Sequence, residues 1–184
     1  MSLNYWMGKS IKLRATESRD IALFQMMDDL VAKHVDAIPF PQSRERQQAW
    51  VDKEALPKLG DSFRWTAENA ERTAVGTIEV FSCNRKYGTF KYGIAVAEPF
   101  RQRGYAKEMI LMVLRYYFQE MGYQKATPHV YSFNEPSIKL HERLGFVREG
   151  RLRNMVFTNG RYYDEIYFGM TKQEFEGLHL RYFG

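Results

Sequence analysis

One cysteine, Cys83, stands among 184 residues, so no disulfide can form within the chain, and a free thiol suits a reducing compartment. No apolar run reaches the roughly 20 residues that a membrane-spanning helix needs. The opening MSLNYWMGKS has neither the apolar centre nor the small-residue cleavage site of an export signal. These absences point to a cytoplasmic protein with no membrane partner. Long runs of one charge are missing as well. The 27 Lys and Arg are interspersed with 22 Asp and Glu, and a net charge of +5 so distributed suits an anionic ligand but predicts no nucleic-acid partner. His34, His129, His141 and His179 show no metal-ligand spacing, so no metal is expected. Linkers, repeats and low-complexity stretches are absent. The chain reads as one domain over residues 11–170, preceded by an extension over 1–10, part of it a candidate vector remnant, and followed by a tail over 171–184.

What is present is a globular balance, 45% hydrophobic and 27% charged. Residues 11–15 alternate as a strand, and Ser18 or Asp20 is placed to cap a helix bearing Ile21, Phe24, Met27, Leu30 and Val31. Ser43 is placed to cap a second helix running toward Leu56, stopped by Pro57 and Gly60. Three strands follow, over 63–68, 73–81 and 89–97, with turns at 69–72 and 84–88. Residues 105–121 form the clearest helix, with Ala106, Met109, Ile110, Val113, Leu114, Tyr117 and Met121 on one face and Gly122 as its stop. Residues 125–133 read as a strand disturbed by Pro128, and 136–144 as a short helix. Asn159-Gly160 then joins two strands by a type I′ turn.

Chemistry concentrates where the strand ending Gly93-Ile94-Ala95-Val96 meets that clear helix through Arg101-Gln102-Arg103-Gly104-Tyr105-Ala106. A glycine-bearing basic turn at a helix start aims several backbone N–H groups, and the positive end of the helix dipole, at one point; that is a seat for a pyrophosphate. A solvated strand-to-helix loop is the competing reading of the same residues. Some thirty residues on, Asn134, Ser137 and His141 fall three and four apart, placing an amide, a hydroxyl and an imidazole on one helix face and its cap.

Arg101-x-x-Gly104-x-Ala106 followed by Asn134-x-x-Ser137-x-x-Leu140-x-x-x-Leu144-Gly145-Phe146 resembles the GNAT superfamily of N-acetyltransferases. The ending from Glu149-Gly150 through Asn159-Gly160-Arg161 to Asp164 is similar to its Rim-type and related bacterial branches. This resemblance implies an α/β fold: a mixed, mostly antiparallel sheet of six or seven strands with helices on both faces, splayed between the strands at Ile94 and Val130. It implies acetyl-CoA as cosubstrate, with pantetheine along Ile94, Ala95 and Val96 and the pyrophosphate on the amides of Arg101, Gln102, Arg103, Gly104, Tyr105 and Ala106. Asn134 and Ser137 would lie near the pantetheine, and His141 would approach the thioester sulfur as the candidate catalytic residue that, or else solvent, protonates the departing thiolate, at a position where family members usually carry a tyrosine. A histidine packed on the helix flank is the alternative.

The implied activity is acetyl transfer to a primary amine by direct attack in a ternary complex; a non-catalytic acyl-CoA sensor of the same fold is the alternative. The attacking amine must be neutral. That costs a lysine-like amine of pKa about 10.4 roughly 4–5 kcal/mol at pH 7, but an α-amine only about 1.4. Glu79 is the candidate base, directly or through water, against the reading of an outward-facing strand residue. Asp164 and Glu165 are candidates for holding a cationic acceptor, against the favoured reading of surface residues on a strand. A peptide N-terminus is slightly favoured over a polyamine or a drug-like amine, and the aromatic tail over 175–183 leaves a homodimer open.

Overall fold

Ile11, Leu13, Trp65, Ala67, Ile78 and Val80 alternate along neighbouring strands and are all buried, which is why these segments pair as a sheet with one face in the core. The computed structural model describes residues 4–27, 29–35, 38–56 and 58–183. The strands among them are β1 (Ile11–Ala15), β2 (Phe63–Asn69), β3 (Ala74–Asn84), β4 (Thr89–Val96), β5 (Lys125–Ala126), β6 (His129–Tyr131), β7 (Val147–Thr158) and β8 (Arg161–Thr171). The helices are α1 (Ile21–Gln25), α2 (Asp29–Val35), α3 (Arg44–Glu54), α4 (Tyr105–Gln119), α5 (Glu135–Arg143) and α6 (Lys172–His179). Strand order is β1-β2-β3-β4-β5-β8-β6, with β7 also paired to β8. The β4–β5 pair is parallel, and the pairs β1–β2, β2–β3, β5–β8, β6–β8 and β7–β8 are antiparallel.

Eight strands are described where six or seven were expected, because Pro128 divides residues 125–133. It has no N–H for a ladder, and its carbonyl accepts instead from Phe168 N at 2.9 Å. Before it, Thr89 and Phe90 pair with Lys125 and Ala126; after it, β6 pairs with β8. The Asn159-Gly160 turn is as expected, with φ of +51° and +75°.

Two compact units divide the chain: Met1–Phe81 with Gly93–Val113, and Ser82–Tyr92 with Leu114–Gly184. In the first, the helix expected over 18–31 is broken into a 3₁₀ turn (Ser18–Asp20), α1 and α2. Asp20 does not cap it. Its buried carboxylate takes both Arg14 Nη groups at 2.7 and 2.8 Å, and Arg14 Nε reaches Glu68 at 2.7 Å. Ser43 does cap α3, accepting from Arg46 N. α3 ends at Glu54, and the expected stop at Pro57 lies outside the described residues. Trp6 stacks on Trp65 at 5.3 Å, and Ser10 N and Oγ donate to the buried Glu108 of α4.

In the second unit, Phe90 gathers Tyr117 and Tyr123 at ring separations of 4.7 and 5.4 Å. The tail forms α6 behind a Thr171–Glu174 capping box, with Phe175 fully buried and His179 Nε2 donating to Leu144 O at 2.7 Å. No described helix is long and apolar enough to cross a membrane.

Candidate active site

β4 leaves the core at its end: Tyr92 is buried, whereas Gly93, Ile94, Ala95 and Val96 are half-exposed. They lie beyond the two-residue ladder to β5. Gly76 of β3 is required here, because a Cβ on it would stand 2.6 Å from Ala95 O.

A 3₁₀ turn (Glu98–Phe100) then hands the chain to α4. Gln102 and Gly104 both adopt positive φ, +62° and +84°, the kind of turn in which successive amides can form an anion-binding concavity. Among the described residues, the amides of Gln102, Arg103, Gly104, Tyr105 and Ala106 donate to no backbone carbonyl. Orphan donors of this kind are the normal state of a helix start, and they favour an anion. Space is available as well, since a Cβ on Gly104 would meet nothing within 4 Å. Arg101 is steadied by Nε donating to Val96 O at 3.3 Å, and Arg103 by donating to Pro99 O at 3.2 Å. The six residues of the expected pyrophosphate seat run from the turn at 101–104 into the first two residues of α4.

In the second unit, Asn134 caps α5 by accepting from Ser137 N at 3.2 Å. His141, two helical turns on, is only 2% exposed. Its Nδ1–H donates to Ser137 O at 2.8 Å, so Nε2 carries the lone pair and accepts from Tyr92 OH at 2.9 Å. Phe146 and Phe168 close around the ring at 5.1 and 5.3 Å. Burial pushes the imidazole below the ordinary histidine range, and the Ser137 carbonyl opposes this only in part. Burial likewise raises the Tyr92 phenol well above its usual range. The sequence reading missed Tyr92; its buried place in the alternation of residues 89–97 was the available signal.

A depressed histidine binds its proton more readily in the unfolded chain, so its contribution to stability is complete above about pH 6.5 and declines as pH falls below that value. His141→Phe should therefore flatten the loss of stability between pH 7 and pH 5. At pH 7 it should cost about 1–3 kcal/mol, since the Tyr92 hydroxyl loses its acceptor. Urea denaturation at both pH values measures this, and an unchanged pH slope would contradict it.

Glu79 lies in the first unit with both oxygens engaged: Oε1 accepts from Lys58 Nζ at 2.5 Å and Oε2 from Arg64 Nη2. Glu54 shares the same two cations, with Lys58 at 2.8 Å and Arg64 Nε at 2.6 Å. Asp164 is similarly committed, to Arg151 at 2.5 Å and to Asn154 N at 2.9 Å, where it holds a β-bulge in β7. Among the described residues, no group of three or more His, Cys, Asp or Glu is arranged to hold a metal.

A profile of the acetyltransferase (GNAT) domain matches residues 10–147. The SPbeta prophage-derived uncharacterized N-acetyltransferase YokL of Bacillus subtilis (strain 168) is 51% identical over 179 residues, 97% of this chain and 99% of its own. Spermidine N(1)-acetyltransferase of Vibrio cholerae is 32% identical over 101 residues, 55% of this chain and 58% of its own. The crystal structure of spermidine N-acetyltransferase from Vibrio cholerae in complex with CoA and spermine shares the fold at a TM-score of 0.79 and 23% identity, covering 90% of this chain and 97% of that one. With the profile spanning most of the chain and one relative matching nearly its whole length, the protein belongs to the GNAT superfamily of N-acetyltransferases.

Proposed function

We propose that this acyl-CoA-dependent N-acetyltransferase moves the acetyl group of acetyl-CoA onto a primary amine by direct attack within a ternary complex, with a polyamine as the acceptor. The observation that carries the donor half is the 101–106 segment, where five amides that donate to no backbone carbonyl among the described residues, an open glycine and two arginines match a pyrophosphate. The backbone of Ile94, Ala95 and Val96 is the proposed rail for pantetheine, where an N–H can polarise the thioester carbonyl.

In the reaction the amine lone pair attacks that carbonyl, the C–N bond forms, the C–S bond breaks, and the amine proton is lost as the thiolate gains one. The residues bear unequally on the two proton transfers. Glu79 holds two cations on its two oxygens, which favours water as the immediate base and Glu79 as a positioning carboxylate. His141, neutral and donating its one N–H to Ser137 O, has no proton to spare, which favours solvent as the source of the thiolate's proton. A folded His141→Phe variant should accordingly keep kcat within about threefold of wild type.

The polyamine acceptor is supported by the relatives, among which spermidine acetyltransferases of Vibrio cholerae and Escherichia coli stand beside a putative ribosomal N-acetyltransferase of Bacillus subtilis. Thiol release from acetyl-CoA, measured with spermidine, spermine, amino acids and short peptides with free N-termini, tests it. CoA should be released fastest with the polyamines. Turnover with peptides alone would move the acceptor class, and no turnover with any amine would remove the reading.

A further inference from the structure

Glu54 and Glu79 share two cations, and the two are held in different ways. Arg64 belongs to β2, spends Nε on Glu54 and Nη2 on Glu79, and lies with its guanidinium carbon 5.2 Å from the centre of the Trp50 ring. Lys58 comes from the segment between α3 and β2, where Leu56 and Leu59 are exposed and Gly60 turns at φ +74°. A single ammonium on a four-carbon stem bridges Glu54 at 2.8 Å and Glu79 at 2.5 Å. Burial works against that charge, but the bonds to Glu54 and Glu79 outweigh it and hold the ammonium above the ordinary lysine range. Lys58 therefore stays protonated at neutral pH and does not itself attack a thioester.

The carboxylate that Lys58 occupies stands beside the strand proposed to carry the thioester. Residues 85–88 alone join β3 to β4, so these sheet neighbours run antiparallel. Ala97 N donates to Val75 O at 3.0 Å. Four residues along β3 from Val75 and four back along β4 from Ala97, Glu79 falls level with Gly93, next to Ile94 of the pantetheine rail. All of these residues belong to the first unit. An amine acceptor arrives from water as an alkylammonium, the same chemical group as the head of Lys58. Two such ions on one carboxylate oxygen repel, so Glu79 Oε1 serves one or the other.

We infer that Lys58 is a resident competitor of the acceptor: its ammonium holds the place on Glu79 Oε1 that an acceptor ammonium takes before losing its proton, and the acceptor binds by displacing it. The exchange is like for like. Glu54 and Glu79 keep as many cationic partners as before, and Lys58 regains water and the freedom of its stem. Arg64 stays, because its planar fork serves both carboxylates at once and a simple ammonium does not reproduce that geometry. A tethered occupant raises the apparent dissociation constant by the reciprocal of the fraction of molecules that it has left, so occupancy of about nine-tenths means about a tenfold rise. The inference rests on the acetyltransferase reading above, with Glu79 as positioning carboxylate, and adds to it a residue that sets acceptor affinity from outside the reacting atoms.

The test measures spermidine in the full-length protein, by KM and kcat with acetyl-CoA and by calorimetric titration with CoA already bound. Lys58→Met keeps most of the stem and removes the ammonium. KM and the dissociation constant for spermidine should both fall at least about fivefold, with kcat within about twofold and CoA affinity unchanged. Lys58→Arg keeps a cation on the two carboxylates and should bind spermidine no more tightly than wild type. Lys53→Met controls for charge alone: it removes one cation from an exposed position of α3 and should leave the spermidine KM within about twofold. Melting curves establish that each variant is folded, and Lys58→Gln carries the same expectation should Lys58→Met fail to fold. An unchanged or raised KM in the folded Lys58 variant, or an equal fall in Lys53→Met, overturns the competitor and leaves acetyl transfer to amines intact. Failure of every form to bind or acetylate spermidine overturns the polyamine acceptor and the competitor together.

Discussion

Replacing Arg14 by methionine is expected to cost about 3–5 kcal/mol of folding stability, the largest effect of any single substitution considered for this chain. The side chain is 14% exposed and grips Asp20, 2% exposed, through both Nη groups, while its Nε holds Glu68. Methionine fills much of the same volume, so packing loss is a minor part. What remains is a carboxylate out of water with only Thr66 Oγ1 and Glu17 N to stabilise it, both at 2.9 Å. Burial works against the Asp20 anion, but the hydrogen bonds from Arg14, Glu17 and Thr66 outweigh it and leave the carboxyl below the usual aspartate range. Because a depressed acid contributes stability above its unfolded pKa of about 3.9 and loses it as pH falls through the folded value, the wild-type protein should hold this contribution throughout the neutral range. Chemical denaturation at pH 7 measures the loss. Adding Asp20→Asn should return part of it by removing the stranded charge, and a double variant no more stable than Arg14→Met alone would contradict this account.

Gly104→Val should weaken CoA binding at least tenfold, about 1.4 kcal/mol. Two consequences arise from one atom. The backbone at φ +84° is one that a β-branched residue resists, so the turn itself is strained by about 1–2 kcal/mol. The Cβ then projects into space that is open to 4 Å around it, on the same turn as the amides of Gln102 to Ala106. Gly104→Ala brings the strain with far less bulk, so its CoA affinity should fall between those of wild type and valine. Calorimetric titration of CoA into both variants, with a melting curve as control, separates lost fold from lost binding. A folded valine variant with undiminished affinity would remove the phosphate seat from the turn.

Elements controlled by neighbours in sequence were legible in the residues. The Asn159-Gly160 turn needs two positive φ angles, Ser43 and Asn134 cap the helices they precede, and the apolar stripe from Ala106 to Tyr117 has the period of α4. The phosphate turn belongs with these, because a glycine, a helix start and basic side chains act within a few residues of one another. At Asp20 the reading departed from the structure because partners outside the helix intervened. Asp20 has the look of a helix cap, but Arg14 and Thr66 share its carboxylate, which reaches back to Glu17 N instead of forward into α1.

The same distinction divides the candidate site. Spacing alone placed Asn134, Ser137 and His141 on one helix, since a helix repeats every 3.6 residues whatever surrounds it. Whether that imidazole is acidic, basic or neutral depends on burial and on Tyr92, 49 residues away, which only the folded sheet brings to 2.9 Å. Glu79 and Glu165 are alike in sequence, each a glutamate in an alternating strand. Lys58, from the loop after α3, and Arg64 of β2 engage Glu79, whereas Glu165 has Tyr167 of its own strand and Tyr131 of β6 beside it, so the groups that decide a carboxylate's role are set by the fold around it. The residues themselves determined the local geometry and the family; charge state and partnership came from tertiary contacts, through which burial and Coulomb interaction act.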